Sequence, residues 1–124
     1  MKISKVISGK GVQTISANAS IHDLVNSLKS HRIGALVVSS DGKQIEGIVS
    51  ERDVVRAIPD NLDSLISMRV RDIMTVDVRT CTADSTTEEL MKVMTEHRIR
   101  HVPVVDAEGN LVSIVSIGDV VKNR

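Results

Sequence analysis

Residues 47–53 read Gly-Ile-Val-Ser-Glu-Arg-Asp, and residues 113–119 read Ser-Ile-Val-Ser-Ile-Gly-Asp. In both stretches an apolar run ends at a serine, and an aspartate follows three positions after that serine. The two stretches are 66 positions apart, and the same shift places His31-Arg32-Ile33 on His97-Arg98-Ile99. A repeat of this length is typical of one structural unit that has been duplicated. Two similar halves predict two similar clefts, which favours ligand binding over a single catalytic centre.

The first part of each repeat reads as a short strand followed by a capped helix. Extended segments are predicted at residues 12–16 and 78–82. Ser20 and Thr86 fit the helix N-cap position, because each is followed three residues later by an acidic residue. Apolar residues then recur at helical spacing. Both helices are predicted to end at the His-Arg pair of their repeat, since cations suit a helix C-terminus.

The second part of each repeat reads as a β-hairpin and another helix. Apolar runs at 35–38 and 45–49 flank a polar turn, and 102–105 and 111–115 do the same in the second repeat. Because these runs are continuously apolar, we expect both faces of each hairpin to be covered. A second helix follows the serine of each quoted stretch. Residues 59–68, which join the repeats, are predicted to be partly helical.

The patterns therefore predict an α/β fold built from two β-α-β-β-α units. The predicted units are 1–62, with a core at about 8–58, and 63–124, with a core at about 74–124.

Composition excludes several classes of function. Sixteen basic residues balance sixteen acidic ones, which argues against a general nucleic-acid or acidic-membrane partner. No apolar run approaches the roughly 18–20 residues that span a bilayer. The first residues lack the apolar stretch of a signal peptide. With Cys81 as its one cysteine the chain has no internal disulfide, so we expect a cytoplasmic protein.

The repeated Ser-x-x-Asp has two interpretations, and they are compatible. As a helix cap, the serine and the aspartate satisfy free backbone amides. As a ligand site, the helix N-terminus and the serine hydroxyl favour a phosphate. The carboxylate can accept hydrogen bonds from the two hydroxyls of a ribose. No Phe, Tyr or Trp is present, so a bound base would lie among aliphatic and polar side chains.

The two quoted stretches, together with His-Arg-Ile-Arg-His-Val-Pro-Val-Val-Asp at 97–106, resemble tandem cystathionine-β-synthase (CBS) domains. The resemblance covers essentially the whole chain, which looks like a free-standing CBS pair. It implies two motifs packed as one pseudo-twofold module, and clefts between the repeats. These clefts would bind an adenosine-containing ligand: AMP, ADP, ATP, NAD or S-adenosylmethionine. It also implies a homodimer.

The resemblance also assigns roles to individual residues. Each cleft would combine the second-helix start of one repeat with the opening strand of the other. Residues 11–13 would then face Ser116 and Asp119, and residues 77–79 would face Ser50 and Asp53. The base pocket would be lined by four isoleucines, Ile33, Ile48, Ile99 and Ile114. Arg100 and His101 would approach the phosphates. The positions that match the family's ligand-binding pattern are Val12, Gln13, Ile33, Gly34, Ile48, Ser50, Arg52, Asp53, Val78, Arg79, Ile99, Arg100, His101, Ile114, Ser116 and Asp119.

The two predicted clefts differ in sequence. The first repeat has Gly34-Ala35 where the second has Arg100-His101, and Arg52 where the second has Gly118. Gly47 precedes the first Ile-Val-Ser, whereas a serine stands at that position in the second repeat. The two clefts are therefore not equivalent, and the sequence leaves open whether both are occupied and whether they bind the same ligand.

The leading hypothesis is a regulatory sensor that binds an adenine nucleotide and signals to an unidentified partner protein by a conformational change. One alternative is a small nucleotide-processing enzyme, although no nucleophile, metal cluster or phosphate loop is recognised, and neither catalytic residues nor metal ligands are predicted. The other alternative is a structural dimerisation module with vestigial clefts. Apolar helix faces, at Leu24 and Leu28 and at Leu90 and Met94, favour the homodimer.

Overall fold

The computed structural model describes residues 1–7 and 11–123, so the ends of the two predicted cores, at residues 8–10 and 124, lie outside it. The elements are β1 (Thr14–Ile15), α1 (Ile21–His31), β2 (Ala35–Val38), β3 (Gly47–Ser50), α2 (Glu51–Ala57), α3 (Thr87–His97), β4 (His101–Val105), β5 (Leu111–Ser116) and α4 (Ile117–Lys122). Short 3-10 turns occur at Ile3–Lys5, Leu65–Ser67 and Val70–Asp72. The predicted α/β class is confirmed.

The helices begin and end where the sequence places them. Ser20 Oγ accepts a hydrogen bond of 3.0 Å from the amide of Asp23, and Thr86 Oγ1 accepts one of 3.2 Å from the amide of Glu89. These side chains satisfy amides that have no partner within the first helical turn. Both helices end at an arginine in the left-handed conformation, which breaks the helical hydrogen-bond pattern.

The strands form two small sheets. β1 pairs in parallel with β2, which pairs antiparallel with β3, while β4 and β5 form an antiparallel pair with an irregularity between Val104 and Val105. Among the residues that the structure describes, the opening segment of the second repeat makes a single bridge, from Cys81 to Val104. β2 is buried along its whole length, as expected, but Val112 on β5 is 45% exposed. The expectation that both faces are covered is therefore wrong for β5.

The chain divides into two compact units whose boundaries differ from the predicted division at residue 62. We call Gln13–Val78 the first-repeat unit, and Met1–Val12 together with Arg79–Arg124 the second-repeat unit. The N-terminal segment belongs with the second repeat because the side chain of Ile3 is completely buried in that unit's core. Its backbone amide also donates a 2.8 Å hydrogen bond to the carbonyl of Ser85.

Residues 63–78 pack on the first repeat for a similar reason. Val70 is completely buried in the first-repeat core, and Met68, Ile73 and Met74 pack against that core. The residues before the first repeat thus pack with the second repeat, and the residues that join the two repeats pack with the first.

The apolar faces of the first helices are used inside the units. Leu24 and Leu28 lie in the first-repeat core, and Leu90 and Met94 lie in the second-repeat core. All four side chains are buried, so they are unavailable to a second copy of the chain. The argument for a homodimer from these four residues is therefore wrong, and any dimer surface must be formed by other side chains.

Candidate functional site

The serine at the end of β3 and the aspartate in the first turn of α2 form a reciprocal capping box. The amide and hydroxyl of Ser50 donate to Asp53 Oδ2 at 2.8 Å and 3.1 Å, and the amide of Asp53 donates to Ser50 Oγ at 3.3 Å. Within the residues that the structure describes, Asp53 Oδ1 makes no hydrogen bond. The cap therefore fixes the carboxylate and leaves one of its oxygens available to accept hydrogen bonds.

The same arrangement recurs at the start of α4. The amide of Ser116 donates to Asp119 Oδ2 at 3.0 Å, and the amide of Asp119 donates to Ser116 Oγ at 3.2 Å. Asp53 is half-buried and Asp119 is exposed. The capping interpretation of the repeated Ser-x-x-Asp is thus correct at both positions, and it orients both carboxylates in the same way.

Two further predicted residues lie beside the first cap. The carbonyl of Gly34 accepts a 3.0 Å hydrogen bond from the amide of Glu51, the first residue of α2. The neighbouring Ala35 is the register partner of Ser50. Ile33, which precedes them, is half-buried and packs against the first-repeat core. The segment between α1 and β2 is therefore in contact with the strand-to-helix crossing that carries the aspartate.

The second repeat has Arg100 and His101 at the equivalent place. The carbonyl of Arg100 accepts a 2.8 Å hydrogen bond from the amide of Ile117, and His101 is the register partner of Ser116. The structure thus brings both predicted phosphate-contacting residues next to the second cap. Arg100 is exposed and His101 is half-buried. A cation beside a serine hydroxyl at a helix start is suited to an anionic group.

Backbone hydrogen bonds between Thr75 and β3 position the segment that leads to Val78. The amide of Ile48 donates to the carbonyl of Thr75, and the amide of Thr75 donates back to the carbonyl of Ile48, both at 2.9 Å. A Cβ atom on Gly47 would lie 2.8 Å from the Thr75 carbonyl oxygen and 2.9 Å from Met74 Sδ. Glycine is therefore required at position 47 for this pairing. Sequence reasoning recognised this glycine but missed its partner Thr75, which no local pattern distinguishes.

The remaining predicted residues are distributed between the two units. Val78 belongs to the unit that contains the first cap, and Val12 belongs to the unit that contains the second. Gln13 belongs to the first-repeat unit and Arg79 to the second-repeat unit, and their places in the clefts stay predictions. Of the other predicted residues, the structure leaves half-buried Ile48, Ile99 and Ile114. Arg52 is exposed on the first turn of α2.

Three other observations concern the chemistry of the site. Among residues 1–7 and 11–123, no group of three His, Cys, Asp or Glu side chains could hold a metal ion. Burial raises the pKa of the Cys81 thiol to about 11, and this side chain packs in the second-repeat core as predicted. Over the same residues, no helix is both long enough and apolar enough to cross a bilayer.

Comparison with known proteins adds to this geometry. The family model of the CBS domain matches residues 4–60 and 70–124. The chain belongs to the CBS domain family. A mitochondrial CBS domain-containing protein from Arabidopsis thaliana is 38% identical over 97% of the chain, which spans 63% of that relative's length.

Solved structures of other CBS proteins are similar over nearly the whole chain. A CBS-domain containing protein from Agrobacterium tumefaciens is 38% identical, with a TM-score of 0.93 and 98% of each chain covered. A CBS domain protein from Pyrobaculum aerophilum, solved in complex with AMP, is 27% identical, with a TM-score of 0.86 and 96% of this chain and 89% of that chain covered. The resemblance to a CBS pair is therefore confirmed.

Proposed function

We propose that this CBS pair is a regulatory module that binds an adenosine-containing ligand and signals to a partner protein by a change of conformation. The observation that carries the proposal is the repeated cap, in which each aspartate is oriented by its serine at the end of a strand. The similarity to a CBS protein solved with AMP supports an adenosine ligand. AMP, ADP, ATP and NAD are the candidate ligands.

In this proposal each aspartate receives the ribose. Asp53 Oδ1, which the cap leaves available, accepts hydrogen bonds from the ribose hydroxyls, and Asp119 acts in the same way in the second unit. The base lies among aliphatic side chains, with Ile33 and Ile48 in one cleft and their counterparts Ile99 and Ile114 in the other. Residues 11–13 and 77–79 complete the two clefts.

The two clefts are proposed to differ in their affinity for phosphate. Arg100 and His101 lie beside the second cap, whereas Gly34 and Ala35 occupy the same place in the first repeat. A guanidinium group forms strong charge-assisted hydrogen bonds with phosphate oxygens. We therefore expect the second-repeat cleft to favour phosphorylated ligands, and the first-repeat cleft to be less dependent on phosphate.

Calorimetry on variants of the two aspartates tests the ligand site. Adenosine, AMP, ATP, NAD and S-adenosylmethionine are titrated into the wild type, Asp53→Ala, Asp119→Ala and the double variant. Loss of charge-assisted hydrogen bonds to the ribose should weaken binding by on the order of 1.5–3 kcal/mol, or roughly 10- to 150-fold in Kd. Unchanged binding in the double variant would remove the proposed ribose role.

A matched control separates ligand contact from helix capping. The Asp72 carboxylate also accepts a hydrogen bond from the amide three residues before it, that of Arg69 at 2.9 Å, but it lies outside the proposed clefts. Asp72→Ala removes such a cap and should leave every ligand affinity unchanged. Arg100→Ala should weaken ATP far more than adenosine, whereas equal weakening of both would show that Arg100 does not contact phosphate.

The same preparations discriminate the alternative functions. Steady release of ADP or AMP from added ATP, abolished in Asp119→Ala, would favour the nucleotide-processing enzyme. Absence of binding at millimolar ligand would favour the structural module with vestigial clefts. We also propose a homodimer and a cytoplasmic location. The exposed apolar side chains support the dimer, and the single buried cysteine supports the location.

A further inference from the structure

Residues 1–7, which we call the strap, precede the first repeat but pack on the second-repeat unit. Within the strap, Ile3 is the one buried side chain, and Val6 and Ile7 are half-buried against the same core. The other strap side chains are exposed. The strap is therefore held by little apolar surface, which is typical of a segment that opens locally without unfolding the rest of the protein.

Backbone hydrogen bonds fix the strap to the start of α3. The amide of Ile3 donates to the carbonyl of Ser85 at 2.8 Å. The amide of Thr87, the first residue of α3, donates to the carbonyl of Met1, also at 2.8 Å. The backbone of the strap thus lies against the residues that begin α3, and its position is defined by bonds that local opening would break.

The first repeat contains an equivalent contact. The counterpart of Thr87 is Ile21, whose amide donates to the carbonyl of Met68 at 2.9 Å. The counterpart of Ile3 is Val70, which is likewise completely buried in the core of its unit. The strap therefore occupies the same place on α3 that this segment occupies on α1.

The two contacts differ in one buried side chain. Ile21 is apolar and lies in the first-repeat core. Thr87 is also completely buried, but its Oγ1 makes no hydrogen bond within the part of the chain that the structure describes. A buried hydroxyl without a partner costs free energy, which water would recover if the strap lifted. The strap is thus held more weakly than its counterpart on the first repeat.

We propose that the strap is a ligand-controlled switch, docked while the second-repeat cleft is occupied and released more often when that cleft is empty. Val12 belongs to the same unit as Asp119, and residues 11–13 complete the cleft in the proposed function. Because these residues continue the chain of the strap, a ligand that holds them in place favours the docked state. Release uncovers the core at the start of α3, which is the change that a partner protein detects.

This inference rests on the proposed ligand site and adds the conformational change that follows binding. Hydrogen exchange at the amides of Ile3 and Thr87 reports docking directly, because both bonds cross the contact. Cys81 lies in the same core cluster as Ile3, so its rate of reaction with 5,5′-dithiobis(2-nitrobenzoic acid) reports opening of that core. Saturating AMP should lower both rates at least threefold in the wild type and in Asp53→Ala, and should change neither rate in Asp119→Ala.

Substitutions in the contact test the coupling from the other side. Ile3→Ala should raise the labelling rate of Cys81 at least tenfold, whereas Thr87→Val removes the unpaired hydroxyl and should lower it at least threefold. Ile3→Asp should release the strap in most molecules. Since coupling between two equilibria is reciprocal, it should also weaken AMP binding at least threefold, measured in the Asp53→Ala background.

The matched control is Ser4→Ala, which changes an exposed strap side chain and should leave the labelling rate and the AMP affinity unchanged. Circular dichroism and a urea transition confirm that each variant is folded. Because the exchange measurement on the wild type needs no substitution, it still tests the inference if Ile3→Asp does not fold.

The outcomes separate the strap from the ligand site. Asp119-dependent AMP binding without slower exchange at Ile3 and Thr87 would overturn the inference and leave the proposed function intact. Full AMP affinity in a folded Ile3→Asp chain would mean that strap and cleft are independent. Labelling that Ile3→Ala leaves unchanged would mean that the core does not open at the strap. Absence of AMP binding by calorimetry would overturn AMP as the ligand and the inference together.

Discussion

Two arginines adopt a backbone conformation that side chains disfavour. Arg32 and Arg98 both have φ of 53°, and each ends the first helix of its repeat. In the left-handed region a Cβ atom approaches the following carbonyl oxygen, which costs roughly 1–2 kcal/mol. Glycine is the usual residue at this position because it lacks that atom. The repeat of the same strain at the same place shows that both helices end by one mechanism.

Arg98→Gly should therefore stabilise the protein. We expect the free energy of unfolding to rise by about 0.5–1 kcal/mol, since relief of strain exceeds the extra flexibility that glycine gives the unfolded chain. Urea denaturation followed by circular dichroism measures the change. Arg98→Ala keeps the Cβ atom and should give no increase. If both variants raise the free energy of unfolding equally, the gain comes from loss of the guanidinium group and not from relief of backbone strain.

Residue-scale features were the most predictable from sequence. A cap is local: the serine and the aspartate that form it lie three positions apart, so the spacing alone predicted the starts of α2 and α4 and the reciprocal hydrogen bonds. The placement of Arg100 beside the second cap needed the family resemblance, because it depends on pairing between β4 and β5. The left-handed arginines were not predicted, since arginine has no preference for that conformation.

At the scale of elements, the close packing of residues 74–76 on β3 depends on Gly47. Gly47→Ala would place a Cβ atom 2.8 Å from a backbone oxygen, so the segment must shift away. We expect the free energy of unfolding to fall by about 1–3 kcal/mol, as in other overpacked sites. Hydrogen exchange should lose protection at the amides of Ile48 and Thr75, which donate to each other's carbonyls.

Gly118→Ala is the matched control for this prediction. A Cβ atom at this position in α4 would meet only Ser116 Oγ, at an ordinary 3.6 Å. Alanine favours a helix over glycine, so the variant should be unchanged or more stable by about 0.5–1 kcal/mol. If both variants lower the free energy of unfolding equally, then the close approach of residues 74–75 is not the reason that position 47 requires glycine.

Local patterns could not predict which repeat each flanking segment packs against. Residues 1–7 show no periodicity that distinguishes the second-repeat core from the first, yet Ile3 is completely buried in the second. The segment at residues 63–78 has only short apolar spacings, and Val70 is buried through contacts distant in sequence. Hydrophobic periodicity indicates that a face is buried, but it does not identify the surface that buries it.

The same limit explains why the helix face at Leu24 and Leu28 was wrongly expected to form a dimer surface. Leu24 and Leu28 form an amphipathic stripe, and the sequence left open whether a core or a second copy covers it; the structure assigns it to the core. At the scale of the whole molecule, the apolar side chains that remain exposed lie elsewhere, among them Val55, Leu62 and Val76. A small domain buries only part of its apolar surface alone, so a partner that covers such side chains would add to its stability.

Composition gives the whole molecule an unusual optical property. The chain contains no Phe, Tyr or Trp, so its own near-ultraviolet absorbance is very weak. A nucleotide held with micromolar or tighter affinity can remain bound through purification. We therefore expect freshly purified protein to show the absorbance band of adenine, and denaturation followed by filtration to release the ligand for identification by mass spectrometry. Asp53→Ala/Asp119→Ala, purified in parallel, should retain less ligand.

The identity of the released ligand tests the pocket chemistry directly. An aliphatic pocket with a carboxylate for the ribose and no aromatic ring offers little general stacking, so selection depends on fit and hydrogen bonding. Adenine nucleotides should therefore dominate the released fraction. A guanine or pyrimidine nucleotide would contradict the ligand class. Removal of the ligand should also lower the midpoint of thermal unfolding, because a ligand that binds only the folded state stabilises it by mass action. Return of the midpoint on adding the same nucleotide would show that the retained molecule occupies a site of the native fold.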